Sequence, residues 1–226
     1  LEEFLSGIPG INIPAQTAEY IDQISVPEEG SRPQSYIRFF HAAPLTPRID
    51  IYVDDELMVA NMAYRSFSRY FPFTEGLHEL KVFEAGSTEN LLFTEQRVIG
   101  SGYIFTAAII GTPETLDVRL IRDRDGVTFP NTSSIRFVHL IPDVGSADIY
   151  IDRIMVISGM EYKDVSNYVV TLPGSHRVQI SEAGSDAVIF GNSGILRSEY
   201  YYTGYLIGYP GGMNLPQVLF QTEAAF

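Results

Sequence analysis

The chain has 226 residues, no cysteine and a formal charge of −13, from 15 Lys+Arg against 28 Asp+Glu. Without cysteine there is no disulfide, no zinc–thiolate site and no thiol nucleophile, and this surplus of acid repels nucleic-acid phosphates and anionic membrane surfaces. A hydrophobic content of 45% suffices for cores without staples, whereas the apolar runs, such as residues 103–110, fall far short of the roughly 20 residues of a spanning helix.

Residues 1–34 carry six acidic side chains against Arg32 alone, with Pro9, Pro14, Pro27 and Pro33 spread among them. Such a segment cannot bury a core and is expected to be an acidic tether. Leu1-Glu2-Glu3 is neither basic nor followed by an apolar run, Leu1 in place of Met reads as a trimmed start, and membrane attachment is expected only through an anchor upstream of residue 1.

From Tyr36 the pattern turns to period two. Ile37, Phe39 and His41 point one way and Tyr36, Arg38 and Phe40 the other, which predicts a strand. A second alternating run, Ile49, Ile51 and Val53 against Asp50 and Tyr52, ends at Asp54-Asp55, a tight turn into residues 56–60. Further strands are expected near residues 67–71, 78–83, 91–98, 103–110 and 116–121, the spacing of a sandwich. The run 103–110 is apolar on both faces and so belongs in the middle of its sheet.

The whole pattern then repeats. Arg38, His41, Pro44, Asp50 and Tyr52 recur 98 positions on as Arg136, His139, Pro142, Asp148 and Tyr150, and the step falls to 97 by Tyr103/Tyr200, Thr106/Thr203 and Gly111/Gly208. One residue is therefore lost, which the sequence places in the loop after Phe93. The expected domains are a tether over 1–34, a first sandwich over 35–123, a linker over 124–132 and a second sandwich over 133–226.

Four histidines occupy two repeat positions, each in phase with inward-facing apolar residues: His41 and His139, then His78 and His176. They read as core-edge histidines whose ring nitrogens bond loop backbone and hold the bend at Ala42-Ala43-Pro44. No His-x-His, His-x-x-x-His or His-Glu-x-x-His spacing occurs, so no metal and no cofactor are expected. Arg38 with Asp50, and Arg136 with Asp148, are expected as structural cross-strand charge pairs on outward faces. Gly191-Asn192-Ser193-Gly194 resembles a serine-protease nucleophile segment but is read as a glycine-rich turn, and Asp123-Arg124-Asp125-Gly126 as a linker turn rather than a calcium loop. In the second copy Tyr200, Tyr201, Tyr202, Tyr205 and Tyr209 crowd ten residues. An apolar face with a polar tip suits sugar and peptide platforms, which makes these five the candidate ligand-binding residues.

The runs Ile37-Arg38-Phe39-Phe40-His41-Ala42-Ala43-Pro44, Ile49-Asp50-Ile51-Tyr52-Val53-Asp54 and His78-Glu79-Leu80-Lys81-Val82 resemble the family called domain of unknown function 4397. Its hallmark is an Arg-x-x-His-Ala-Ser-Pro start followed by Val-Asp-Val-Tyr-Val-Asp-Gly, and here Ala43 and Asp55 replace the serine and the turn glycine. The likeness covers both copies. It implies tandem immunoglobulin-like sandwiches in exported bacterial proteins, often anchored to lipid or wall.

The expected fold is therefore all-β, two tandem immunoglobulin-like antiparallel β-sandwiches. The expected role is a non-catalytic binding or spacer module, secreted or anchored at a Gram-positive cell surface, with cell-wall glycan or an extracellular protein as partner and no nucleic acid. The alternatives are an extracellular hydrolase built on a His41/Asp50-type couple, and an assembly subunit pairing through a sheet edge.

Overall fold

The computed structural model describes residues 34–124, 128–185 and 187–223. The expected tether, but for Gln34, and residues 125–127 of the expected linker lie outside these. All elements among the described residues are strands. The first copy holds β1 (Ser35–His41), β2 (Ile49–Val53), β3 (Glu56–Met62), β4 (Phe71–Phe73), β5 (Gly76–Glu84), β6 (Leu91–Ile99), β7 (Ile104–Ile110) and β8 (Asp117–Arg122). The second holds β9 (Ser133–His139), β10 (Ala147–Ile151), β11 (Ile154–Met160), β12 (Val169–Thr171), β13 (Gly174–Glu182), β14 (Val188–Leu196), β15 (Tyr201–Ile207) and β16 (Gln217–Thr222).

Each copy is a sandwich of two four-stranded sheets. The sheets run β4-β1-β7-β8 and β3-β2-β5-β6 in the first copy, and β12-β9-β15-β16 and β11-β10-β13-β14 in the second. Every pairing is antiparallel except β1 with β7 and β9 with β15, which run parallel. The β2–β3 turn is set by Asp54 and Asp55 at φ 50° and 65°, repeated by Asp152 and Arg153 at 50° and 72°. Positive φ at both central residues matches the right-handed twist of the flanking strands.

Asp50 organises the same hairpin: its Oδ1 accepts the Asn61 N–H at 2.6 Å and its Oδ2 the Gly86 N–H at 2.8 Å. Asp148 does the same with Gly159 and Gly184 at 2.8 and 2.9 Å, and those two N–H groups hold its carboxyl below the usual range. The expected pairs Arg38–Asp50 and Arg136–Asp148 therefore do not form. Both acids are spent on backbone N–H groups, and both arginines belong to the other sheet, where they meet different partners.

Three apolar clusters account for the packing. Ile37, Phe39, Ala107 and Ile109 fill the first sandwich with Ile49, Ile51 and Val82 from the facing sheet, and Ile135, Phe137 and Leu206 fill the second with Ile149, Ile151 and Ile180. The third cluster lies between the sandwiches. Phe40, Ala108, Ile110 and Ile121 on the outer face of sheet β4-β1-β7-β8 pack against Val138, Leu140, Tyr205 and Ile207 of sheet β12-β9-β15-β16. That is why β7, central between β1 and β8, is apolar on both faces: one faces its own core and the other faces the second sandwich. Both sandwiches belong to one compact unit.

Three local expectations are corrected. The strand expected over 67–71 starts at Phe71, and Phe67 makes a single bridge to Phe40. The lost residue lies before Leu91, since β5 and β6 are joined by residues 85–90 but β13 and β14 by 183–187. Gly191 to Gly194 is not a turn but the middle of β14. Crowding explains its glycines, because a Cβ on Gly191 would meet the Val178 carbonyl oxygen at 2.5 Å and one on Gly194 the Phe220 ring at 2.7 Å.

Tyr205 is the largest fully buried side chain in the contact between sandwiches, its ring 4.9 Å from Phe40 and 5.6 Å from Phe67. Replacing it by alanine is expected to cost about 3–5 kcal/mol in urea unfolding. Tyr200→Ala, on an exposed residue of the same run, should change stability by less than about 0.5 kcal/mol. Equal effects of the two would contradict this packing.

Candidate functional site

A charged cluster lies beside the third apolar cluster. Arg38 and Arg136, at equivalent places on β1 and β9, point out of their own sandwiches and into the contact, where both are buried together with Asp123 and Glu223. Arg38 donates from Nε to Thr106 Oγ1 at 2.8 Å and from Nη1 to the Thr222 carbonyl at 3.1 Å. Arg136 donates from Nε to Thr203 Oγ1 at 3.0 Å and from Nη1 to the Arg122 carbonyl at 2.7 Å. Each guanidinium thus ties its own sheet to the last strand of the other sandwich.

The two acids close the cluster. Asp123 lies 3.6 Å from Arg38 and 3.2 Å from Arg136, and accepts from Thr106 at 2.6 Å and Tyr70 at 2.7 Å. Glu223 lies 3.0 Å from Arg136 and accepts from Thr203 at 2.6 Å, Tyr168 at 2.7 Å and the Arg124 N–H at 2.5 Å. Burial, reinforced by the Glu223 charge and opposed by Arg38, pushes the Asp123 carboxyl above its ordinary range. Burial and the adjoining carboxylates likewise push the Tyr70 and Tyr168 hydroxyls up, so both remain hydrogen-bond donors.

A cleft of about 530 Å³ opens over this cluster. Tyr103, Arg122 and Arg124 line it from the first sandwich, and Arg136, Ser166, Asn167 and Tyr168 from the second. Arg122 sits 4.5 Å over the Tyr103 ring, and Arg136 and Arg124 lie 5.1 and 5.7 Å from the centre of the Tyr168 ring. Sequence reasoning missed this site. The available signal was Arg122-x-Arg124, which the second copy replaces with Thr222 and Ala224, but the loop of residues 208–216 is three longer than its counterpart 111–116 and hides the correspondence.

The five candidate tyrosines do not form one platform. Strand alternation sends Tyr202 into the second core, where its hydroxyl accepts the Arg197 N–H at 2.9 Å, and Tyr205 into the contact between sandwiches. Burial pushes the Tyr205 hydroxyl up to about 12. Tyr201 is half-buried, 5.1 Å from Tyr168, and Tyr200 is exposed 6.3 Å from Tyr202. Tyr209 lies beyond the strand, its hydroxyl raised by a hydrogen bond to Asp143.

The histidines occupy two matching pairs of environments. His41 and His139 are buried, each with Nε2 on a loop carbonyl, Pro47 at 2.9 Å and Gly145 at 3.2 Å. Burial outweighs these carbonyls and lowers both pKa values. His78 has Nδ1 2.6 Å from Asp54 and Nε2 2.9 Å from the Thr74 carbonyl, and His176 has Nδ1 2.7 Å from Asp152 and Nε2 2.8 Å from the Leu172 carbonyl. A His41/Asp50 couple is absent, because His41 bonds Pro47 while Asp50 bonds Asn61 and Gly86. The two His–Asp couples that do exist have both ring nitrogens engaged. Among the described residues no group of three or more His, Asp or Glu is placed to hold a metal ion.

Fold and site together define a tandem β-sandwich protein whose halves are locked by a buried ion cluster beneath an open cleft. The family model for a domain of unknown function (DUF4397) matches residues 35–146 and 133–224, and the chain belongs to that family, in two tandem copies. No curated protein matches it. Among solved structures, it is similar to one described as alpha-glucan binding by a streptococcal virulence factor, at 9% identity and a TM-score of 0.24, covering 74% of this chain and 92% of that one. It is also similar to a candidate adhesin from Bacteroides ovatus, at 9% identity and 0.20, covering 88% and 97%. A third is a candidate cell adhesion protein from Bacteroides fragilis, at 9% and 0.21, covering 86% and 98%. TM-scores this low carry no argument about ligand or role.

Two measurements check the site. Asp123→Ala leaves two buried guanidinium groups short of a partner and is expected to cost about 3–5 kcal/mol in urea unfolding; a loss under about 1 kcal/mol would show that the cluster does not hold the sandwiches. For His78, the Thr74 carbonyl and Asp54 outweigh burial and raise the pKa above 6.5, while the Glu79 N–H and His78 lower that of Asp54. The contribution of the charged His78 is therefore full below about pH 6.5 and fades as pH rises through its raised value. That of Asp54 is present above its ordinary range and fades as pH falls through its lowered value. An NMR titration should place the His78 midpoint above 6.5 and lower in Asp54→Asn, and an unmoved midpoint would refute the coupling.

Proposed function

We propose that the chain is a non-catalytic binding module of the bacterial cell exterior, anchored at the cell surface, whose ligand is a glycan seated in the cleft between the sandwiches. The observation that carries this reading is the lining of that cleft. Two tyrosines and three arginines converge there with Ser166 and Asn167, a mixture of aromatic faces and directional hydrogen-bonding groups on rigid strands and short loops. Its volume of about 530 Å³ lies within the range of roughly 300–1,000 Å³ usual for small-ligand sites. The exterior location is what the family resemblance implies.

A hydrolase is less well supported on physical grounds. A general base must keep a nitrogen free to take a proton from a nucleophile or water. His78 and His176 hold an aspartate on one side and a backbone carbonyl on the other, which is the arrangement of a structural clamp.

A glycan and cell-wall polymer array probed with the whole chain and with Tyr103→Ala tests this. The expected result is retention of a narrow set of glycans, lost at least about tenfold in the variant, as removal of one aromatic contact commonly produces. Retention unchanged in Tyr103→Ala would move the ligand elsewhere, capture of protein but no glycan would replace the ligand class, and release of shortened glycan would refute the non-catalytic reading.

A further inference from the structure

We infer that the cleft selects a sugar bearing a single carboxylate or phosphate, carried on an otherwise neutral or sparsely charged chain, and that Arg122 and Arg124 receive that group. The inference rests on the cleft being the ligand seat and adds the charge of what it holds.

The charges decide it. Beneath the cleft, Arg38 and Arg136 are matched in number by Asp123 and Glu223, and Arg136 is fully engaged with Thr203, Glu223, Asp123 and the Arg122 carbonyl. At the mouth, Arg122 and Arg124 are exposed, and neither pairs with a carboxylate among the described residues. Of the neighbouring acids, Asp123 is buried and turned to the floor, and Asp125 lies outside the described residues. Among the described residues the rim therefore carries two positive charges without a carboxylate partner, above a base where arginines and acids match in number, in a chain whose net charge is −13.

Both arginines are also held in position. The Arg122 carbonyl accepts from Arg136 and the Arg124 N–H donates to Glu223, so their backbones are fixed to the ion cluster. Their guanidinium groups lie over Tyr103 and Tyr168. Planar donors restrained in this way lose little freedom on meeting a carboxylate or phosphate, which they bind through paired N–H groups.

The duplication supplies an internal comparison. The second copy keeps the arginine, threonine, tyrosine and acid of the cluster as Arg136, Thr203, Tyr168 and Glu223, yet has Thr222 and Ala224 where the first has Arg122 and Arg124. The cluster needs neither arginine side chain to form, so the pair is surplus to the fold. The surrounding acid narrows the ligand further. Fields are screened beyond about 10 Å at 0.1 M salt, so one anionic group touching the rim feels chiefly the two arginines, whereas a dense polyanion extending over the acidic surface is repelled.

The test is an NMR titration of the whole chain, read at the Nε–H signals of Arg122 and Arg124, with glucuronic acid, glucose 1-phosphate and glucose as separate probes. At least one of the two anions should shift both signals saturably and bind at least about tenfold more tightly than glucose, as expected of charge-assisted contacts. Which anion does so tells a carboxylate ligand from a phosphate one. In Arg122→Gln/Arg124→Gln that preference should vanish while the urea midpoint stays unchanged, since both side chains are exposed. Indifference of both signals to both anions, binding of glucose as tight as the anions, or a preference that survives the double substitution would each overturn the inference. Tight glucose binding would leave the cleft standing as a glycan seat, and an array result unaffected by Tyr103→Ala would remove the seat itself, so the two failures are told apart.

Discussion

The structure depends on four charges buried where two sheets meet. Taking two guanidinium groups and two carboxylates out of water is costly, and such a group is tolerated only where nearly every donor and acceptor finds a partner. Here the partners come from both halves. Arg38 needs Thr106 from its own sheet and the Thr222 carbonyl from the other, and Arg136 needs Thr203 and the Arg122 carbonyl in the same way. An apolar contact alone is non-directional and would allow the sheets to slide or rotate. The ion cluster allows one docking, because any other leaves charge buried without its bonds.

The duplicated halves are not interchangeable within that docking. Tyr205 of the second copy packs on Phe40 and Phe67 of the first, while the repeat equivalents of these three are Ala108, Val138 and Val165. Large side chains thus gather on one side of the pseudo-symmetric contact and small ones on the other. Two first copies facing each other would set Phe40 and Phe67 against alanine, and two second copies would set Tyr205 against two valines, so either pairing leaves a gap where tyrosine now meets two phenylalanines. Voids destabilise a core, so divergence at these positions favours the pairing of the two halves over pairing of like with like.

How far the sequence could be read follows from what its periodicities measure. Period two and the Asp54-Asp55 turn locate strands and hairpins directly, and the repeated motifs require both copies to share one topology. Alternation does not say what lies on the second face. Arg38 and Asp50 both read as outward, and the five tyrosines as one platform, but outward from β1 and β15 means into the other sandwich, whereas Asp50 meets a bulge in β3 and a turn. For that reason the expected Arg–Asp pairs dissolve and the run of tyrosines divides between a core, a contact and the surface. The histidines were easier, since a ring in phase with core residues at a strand end has loop carbonyls within reach. The cleft was invisible for a different reason: its lining is gathered from residues 102–104, 122–124, 136 and 166–168, brought together only by the docking of the sandwiches.

That origin also bears on why two copies stand where one would fold. The walls of this cleft come from both copies, so neither sandwich alone supplies it. Tyr103, Arg122 and Arg124 become one wall of a cleft only when Tyr168, Ser166 and Asn167 stand opposite them, and the bonds holding the two sets apart at a fixed distance are those of the ion cluster just beneath. On the proposed reading binding and docking are thermodynamically linked: a ligand that touches both walls stabilises the docked arrangement by its own binding free energy, and whatever loosens the cluster weakens the seat without touching a wall residue. The first copy supplies the exposed charge and the second supplies the buried arginine and the second aromatic wall, which is the division of labour expected where a duplication has freed one copy of each position to change.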